Sequence, residues 1–289
     1  MLAKHFTLLF LEDVDLILKD IAAEAAESSP SLAHFVKSVK PTHSFLQTSM
    51  QCGIPLQDIQ ILAQHLIHWR KARAIPPIHQ RDTYIVSPNA DMKRIASLAP
   101  AYAKAFPTLP TLPKILSILS SKPKPFATFI PSRDHRATYL EILAWLIRHG
   151  LATQLRNFAW VKIPVSVKQA VHRERVQRQK QLQLETMNLP LPQLPSLVTP
   201  DKEDHVDEKL DQESFILEPS CASGIESAWL EMVTRDKNPN TKALFEKMLK
   251  YLNGQHALEK ISVRECITRK EVRQVFIEMD EILVYARHW

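Results

Sequence analysis

Histidines and arginines are the residues of this chain whose chemistry would matter most if they converged. There are twelve histidines. His65 and His68 fall on one helical stretch, and His79 follows in the next turn. Imidazoles so placed could bind zinc, which needs at least three converging ligands, usually with a thiolate or carboxylate. Here they occupy polar positions on an exposed helix face, so no metal site is expected. His34, His43, His135 and His149 show no partner spacing. Arg81-Asp82 and Arg133-Asp134-His135-Arg136 could offer a guanidinium to a nucleotide phosphate, as an arginine finger does. The structural reading of both is stronger. Asp134 can cap the helix that follows it, and Arg81 can pair with Asp82 across a turn. There is no G-x-S-x-G elbow and no H-E-x-x-H pair. Residues 31–165 hold five carboxylates, Asp58, Asp82, Asp91, Asp134 and Glu141, from which an acid/base pair is hard to build. The four glycines, Gly53, Gly150, Gly224 and Gly254, lie too far apart to cradle a phosphate. Neither catalysis nor a cofactor is expected.

What remains is a basic junction. Arg70, Lys71, Arg73 and Arg81, with Trp69 and His79, sit where a helix runs into a strand, and they form the candidate interaction surface. Net charge is +6, distributed as −4 over residues 1–30, +12 over 31–165 and −2 over the rest. A basic field attracts nucleic acid, anionic membranes and acidic proteins alike. A DNA-reading winged helix would lay its third helix in the major groove and its wing on phosphate. That helix exposes Gln57, Asp58, Gln60, Gln64 and His65, with no arginine until its end. A nucleic-acid-binding tandem winged-helix protein is therefore the alternative reading: phosphate contact is conceivable, while base readout is poorly supported. Trp69, Trp145 and Trp160 read as core or interface anchors.

The elements that must position these residues recur. Three times an amphipathic helix runs into a short strand: at Leu66–Ile78, Leu146–Pro164 and Val275–Trp289. LIHWRKARAI and LIRHGLATQL align at an offset of 80 residues with three identities in ten. Helix, helix, helix, strand, wing, strand is the winged form of helix-turn-helix. The expected fold class is mainly α with small β wings: tandem winged helix-turn-helix units and a C-terminal winged-helix-like domain. Residues 1–30 read as one helix with the stripe Phe10, Val14, Ile17, Leu18, Ile21. Residues 31–92 form the first winged unit. In it Thr42 caps SFLQTSMQC, Gly53 ends that helix, and strands Arg73–Ile78 and Thr83–Ser87 make the wing. Residues 93–166 form the second winged unit, 167–220 a solvated basic helix and a disordered linker, and 221–289 the C-terminal domain, with a capping box at Thr268–Glu271. The 289 residues suit about two domains. Cys52, Cys221 and Cys266 form no C-x-x-C pair, which fits a reducing compartment. No apolar run approaches the roughly 20 residues of a membrane span.

The string HLIHWRKARAIPPIHQRDTYIVSPNADM (His65–Met92) resembles the nitrogen permease regulator 3 family, as do FPTLPTLPKIL, IPSRDHRATYLEILAWLIRHG and QLRNFAWVKIP. In the tail, KYLNGQHALEKISVRE, TRKEV and the closing Tyr-Ala-Arg-His-Trp also resemble it. The resemblance implies a regulatory subunit that pairs with a nitrogen permease regulator 2 type subunit and a large DEP-domain subunit. That assembly activates Rag-type GTPases' hydrolysis and silences TOR complex 1 when amino acids are scarce, with a link to meiosis in fungi. It implies a cytoplasmic protein peripheral to the vacuolar membrane. Its arginine finger is attributed to the regulator 2 partner, so no catalytic residue carries over. Family members begin with a longin-type domain, and residues 1–30 are not expected to make such a sheet. A fragment, a truncated gene model or a misplaced start codon is the expectation that follows.

Overall fold

A computed structural model describes residues 2–23, 30–187 and 210–289. It is mainly helical with short strands, and it divides into two compact units, Met1–Arg156 with Trp289, and Asn157–His288.

The first unit is built around its first strand. Thr7-Leu8-Leu9-Phe10 forms β1 (Thr7–Phe10), with all four residues buried. A strand sends successive side chains to opposite faces. Leu8 and Phe10 join one core with Ile17, Phe35, Phe45 and Ile59, while Leu9 joins another with Ile78, Tyr84, Tyr102 and Ile142. The single helix expected over residues 1–29 is therefore a strand followed by a shorter helix, α1 (Val14–Ala23). An apolar run without polar interruption suits a strand covered on both faces better than a helix with one wet side. The expected helix end at Ser28–Pro30 lies largely outside the described residues.

Three helices follow: α2 (Pro30–Ser38), α3 (Phe45–Cys52) and α4 (Leu56–His68). Ser44, rather than Thr42, caps α3. Its hydroxyl accepts from the Gln47 N–H at 3.3 Å while Gln47 Oε1 accepts from the Ser44 N–H at 2.9 Å, a capping box that satisfies two orphan donors. Gly53 ends α3 in the left-handed conformation, φ 72°, as expected. The α4 stripe buries Ile59, Ala63 and Leu66.

The wing is corrected. β2 (Ala72–Ile75) pairs antiparallel with β1, from Phe10 opposite Ala72 to Thr7 opposite Ile75. β3 (Thr83–Val86) pairs instead with β4 (Ala152–Ile163), from Thr83 opposite Leu155 to Val86 opposite Ala152. Pro76 and Pro77 have no N–H to continue a ladder, and the next donor, Ile78 N–H, goes to the Pro41 carbonyl at 2.9 Å. The strands of the first expected winged unit thus pair outside it. Between β3 and β4 lie α5 (Ile95–Ala105), α6 (Leu112–Leu119) and α7 (Arg136–Arg148), which fill the core that takes Leu9. His135 stands at the N-cap of α7 with no side-chain cap bond, so the capping role expected of Asp134 is not seen.

β4 carries the chain into the second unit. The basic helix expected as solvated is α8 (Val165–Met187); its first turns are docked, while most residues from His172 to Leu184 are exposed. Lys168 and Val171 are buried, and Glu174 receives both arms of the Arg235 guanidinium, at 2.5 and 3.0 Å. Residues 188–209 of the expected linker lie outside the described residues. Its end is ordered as β5 (Ser214–Ile216), which pairs with β4 at Val161 opposite Ile216. Ile216 is buried, so this short segment has an apolar contact that its acidic surroundings conceal. Then come α9 (Gly224–Thr234), α10 (Pro239–Met248), α11 (Ile261–Arg264), α12 (Arg269–Glu278) and β6 (Leu283–His288), which also pairs with β4. Their core holds Val161, Phe245, Met248, Leu252, Ile261 and Val275. The capping box at Thr268–Glu271 is present. Gly254, at φ 73°, donates its N–H to the Ala159 carbonyl at 3.0 Å. A Cβ there would fall inside the Trp160 indole.

Two measurements check this architecture. Leu9→Asp should unfold the protein at room temperature or cost at least about 4 kcal/mol, whereas Leu16→Asp, at a position 51% exposed, should shift the urea midpoint little. Equal effects would contradict the two-faced strand. Gly254→Ala should cost about 3 kcal/mol, combining left-handed strain with overpacking. Gly53→Ala, with no atom near the added Cβ, should cost about 1 kcal/mol in the same titration.

Candidate interaction site

The basic junction starts where α4 stops. Trp69 N–H donates to the His65 carbonyl at 2.9 Å, Arg70 N–H to Ile67 at 3.0 Å and Lys71 N–H to Leu66 at 2.9 Å. Arg70 takes φ 57°. This is a Schellman cap, in which a left-handed residue turns the chain so that the last carbonyls of the helix are satisfied. The end of α7 repeats it 80 residues on. His149 N–H donates to Trp145 at 3.1 Å, Gly150 N–H to Ile147 at 3.1 Å and Leu151 N–H to Leu146 at 2.9 Å, with Gly150 at φ 71°. The offset seen in the sequence is thus a repeated backbone cap leading into a strand. The third helix-to-strand case differs: α12 ends at Met279 with φ −108° and passes through a 3-10 turn, Asp280–Ile282, into β6. The two copies of the cap also differ in the residue at the left-handed position. Gly150 adopts the left-handed conformation freely, while Arg70 does so at a cost of about 1 kcal/mol.

The six candidate residues divide between fold and surface. Lys71 Nζ lies 2.8 Å from Asp20 and 2.7 Å from Glu12. These hydrogen bonds, Asp20 first, raise its ammonium above the usual lysine range. Arg73 Nη2 donates to the Ile147 carbonyl at 2.8 Å, so a cation satisfies the last turn of α7, where the helix dipole is negative. His79 Nδ1 accepts from the Arg81 N–H at 3.1 Å, and the His79 N–H donates to the Tyr84 hydroxyl at 3.2 Å. His79 therefore shapes the turn before β3. Trp69, 46% exposed, and Arg70 and Arg81, also exposed, remain on the surface. His65 is tilted against Trp69 with ring centroids 5.8 Å apart.

The partners of the junction were missed. Glu12 and Asp20 hold Lys71, and Asp13 holds Arg148 at 3.1 Å. The signal was present in the charge count, where an acidic opening precedes a strongly basic stretch, but the helix reading of residues 1–30 gave it no geometry. Asp82 is also buried, 6% exposed, and accepts from Gln154 Nε2 at 3.2 Å. Among the described residues no three His, Cys, Asp or Glu side chains gather as metal ligands would, and no helix is long and apolar enough to cross a membrane. What this arrangement offers chemically is an aromatic and basic contact surface on a rigid turn.

Residues 1–169 match the family model described as Nitrogen Permease regulator of amino acid transport activity 3. Residues 223–284 match the model described as GATOR1 complex protein NPRL3, C-terminal HTH, which agrees with a helix-turn-helix domain built from the helices of the second unit. Among curated relatives, the chain is 40% identical over 351 residues to Nitrogen permease regulator 3 of Coccidioides immitis, covering 100% of this chain and 46% of that protein. It is 39% identical over 369 residues to the protein of that name in Aspergillus oryzae, covering 100% and 50%. With that of Aspergillus niger it shares 41% over 336 residues, covering 96% and 38%. The chain thus spans about half the length, or less, of the curated relatives it matches. With a family model across its first 169 residues, the chain belongs to the nitrogen permease regulator 3 family, whose name marks a regulatory role in amino acid signalling.

Proposed function

We propose that this chain acts as a non-catalytic scaffold subunit of a Rag-GTPase-activating assembly that lowers TOR complex 1 signalling when amino acids are scarce. It works beside a nitrogen permease regulator 2 type subunit and a large DEP-domain subunit, at the cytoplasmic face of the vacuolar membrane, and in fungi it connects to meiotic division. Family membership supports a regulatory role. The structural observation that carries the scaffold reading is Trp69, a large apolar side chain left 46% exposed on a helix end held by three backbone hydrogen bonds. Rigid exposed tryptophans beside arginine are what protein interfaces use as anchors. The tandem winged-helix description survives as a proposal at the level of helices and caps rather than of a wing hairpin. The nucleic-acid reading loses two cations, since Lys71 and Arg73 bond inside the fold.

Co-expression tests this directly. Tagged full chain should recover both the regulator 2 type and the DEP-domain subunit, and recovery of neither would end the proposal. Trp69→Ala should cut recovery several-fold with an unchanged melting temperature. Arg70→Gly should stabilise the free chain by about 1 kcal/mol by removing left-handed strain, and should weaken recovery if the guanidinium touches a partner. Full recovery with both variants would move the interface elsewhere.

A further inference from the structure

The second unit holds a groove of about 420 Å³ that nothing in the preceding reading uses. Its floor is apolar, formed by Leu258, Val272, Phe276 and Tyr285. Phe276 and Tyr285 meet edge to face, with centroids 6.2 Å apart and planes at 85°, and so make a two-sided aromatic wall. Tyr285 is 41% exposed, and partial burial pushes its phenol up to about 12. The rim is cationic. Arg269 and Arg273 stand one turn apart on α12, and Arg287 reaches the same groove from β6. One carboxylate lines the groove, Glu259, and it accepts from Asn157 N at 3.0 Å and Asn157 Nδ2 at 2.7 Å. Asn157 thus holds one of its oxygens, and the groove keeps three arginines against one carboxylate.

We propose that this groove docks an acidic peptide segment of a partner protein. An apolar side chain of the peptide sits against Phe276 and Tyr285, and flanking carboxylates pair with Arg273 and Arg287. Charge complementarity fixes the sign of the partner, since arginine forks bind carboxylates in bidentate geometry. The apolar floor fixes its class. A phosphodiester backbone gains nothing from Leu258, Val272 and Phe276, whereas a leucine or phenylalanine side chain is removed from water by such a floor. A volume near the lower end of the roughly 300–1,000 Å³ range of ligand pockets suits one or two anchoring side chains. The inference goes beyond the scaffold assignment and does not depend on which assembly the first unit joins.

Fluorescence anisotropy with the full chain tests it. The probes are a short fluorescein-labelled Asp/Glu-rich peptide carrying one Phe and one Leu, the same peptide with both replaced by Ser, a Lys-rich counterpart, and a labelled DNA duplex. The acidic apolar peptide should bind in the micromolar range. Loss of its anchors should weaken binding about tenfold, and the Lys-rich peptide should not bind. Arg273→Glu, at an exposed position, should weaken the first peptide at least about tenfold with an unchanged thermal melt. Lys93→Glu, the same charge change at an exposed site of the first unit, should leave it unaltered. Equal weakening by both variants would reduce the effect to diffuse charge and overturn the proposal. Unchanged affinity in Arg273→Glu would also overturn it, as would DNA binding that is tighter than peptide binding and lost in that variant. Self-association abolished by Arg273→Glu, with no peptide bound, would assign the groove to a second copy of the chain instead.

Discussion

Burial of β1 on both faces is the constraint from which the first unit follows. Alternation along four residues sends Leu8 and Phe10 to one core and Leu9 to the other, so a single strand is the wall between two hydrophobic clusters. With no solvent face available, every polar group of the strand must find a partner inside the protein. The ladder to β2 provides most of them, and the buried Thr7 hydroxyl donates to the Lys40 carbonyl at 3.1 Å. Register matters here more than in a half-exposed sheet. A slip of one residue would exchange the two faces and put Leu9 where Phe10 belongs.

The Schellman cap between α4 and β2 connects that strand pair to the surface. It aims Lys71 at Glu12 and Asp20, which binds the strand and α1 to the cap. Arg73, two residues on, satisfies the Ile147 carbonyl next to the second copy of the same cap. Two of the four cations that made the junction look like a ligand surface, Lys71 and Arg73, are therefore part of its framework. What they leave outside is Trp69, Arg81 and Arg70, the last held at positive φ. Strain kept at such a position is compatible with a functional constraint, because glycine occupies the equivalent place in the second copy.

The second unit is organised differently. Three of its helices start at side-chain caps, Ser223, Asn238 and Thr268, and Gly254 lies tight against the Trp160 ring. The capping box at Thr268–Glu271 and the end of α3 at Gly53 were legible in the sequence, because each depends on residues within one or two turns of one another. The capping box at Thr268–Glu271 needs only its own four residues. The choice of Ser44 over Thr42 was less legible: both hydroxyls can cap, and the reciprocal Gln47 bond decides between them.

Strand pairing was not legible, and the reason is physical. β2 and β3 are neighbours in sequence separated by a polar turn, which is the local signature of a hairpin. Nothing nearby states that β1 and β4 offer them better partners. Likewise FTLLFL fits one stripe of a helix as well as a strand until a second core exists to cover its other face. Sequence by itself determined the mainly helical class, the Thr268–Glu271 cap, the family strings, the repeat and the signs of charge, all of which arise from propensity, capping and composition at short range. Tertiary structure alone decided which strands pair, that Lys71 and Arg73 serve the fold while Trp69 and Arg70 remain outside, and that Arg269, Arg273 and Arg287 meet over one apolar floor. Those outcomes depend on contacts between residues far apart in the chain, whose energies no local pattern records.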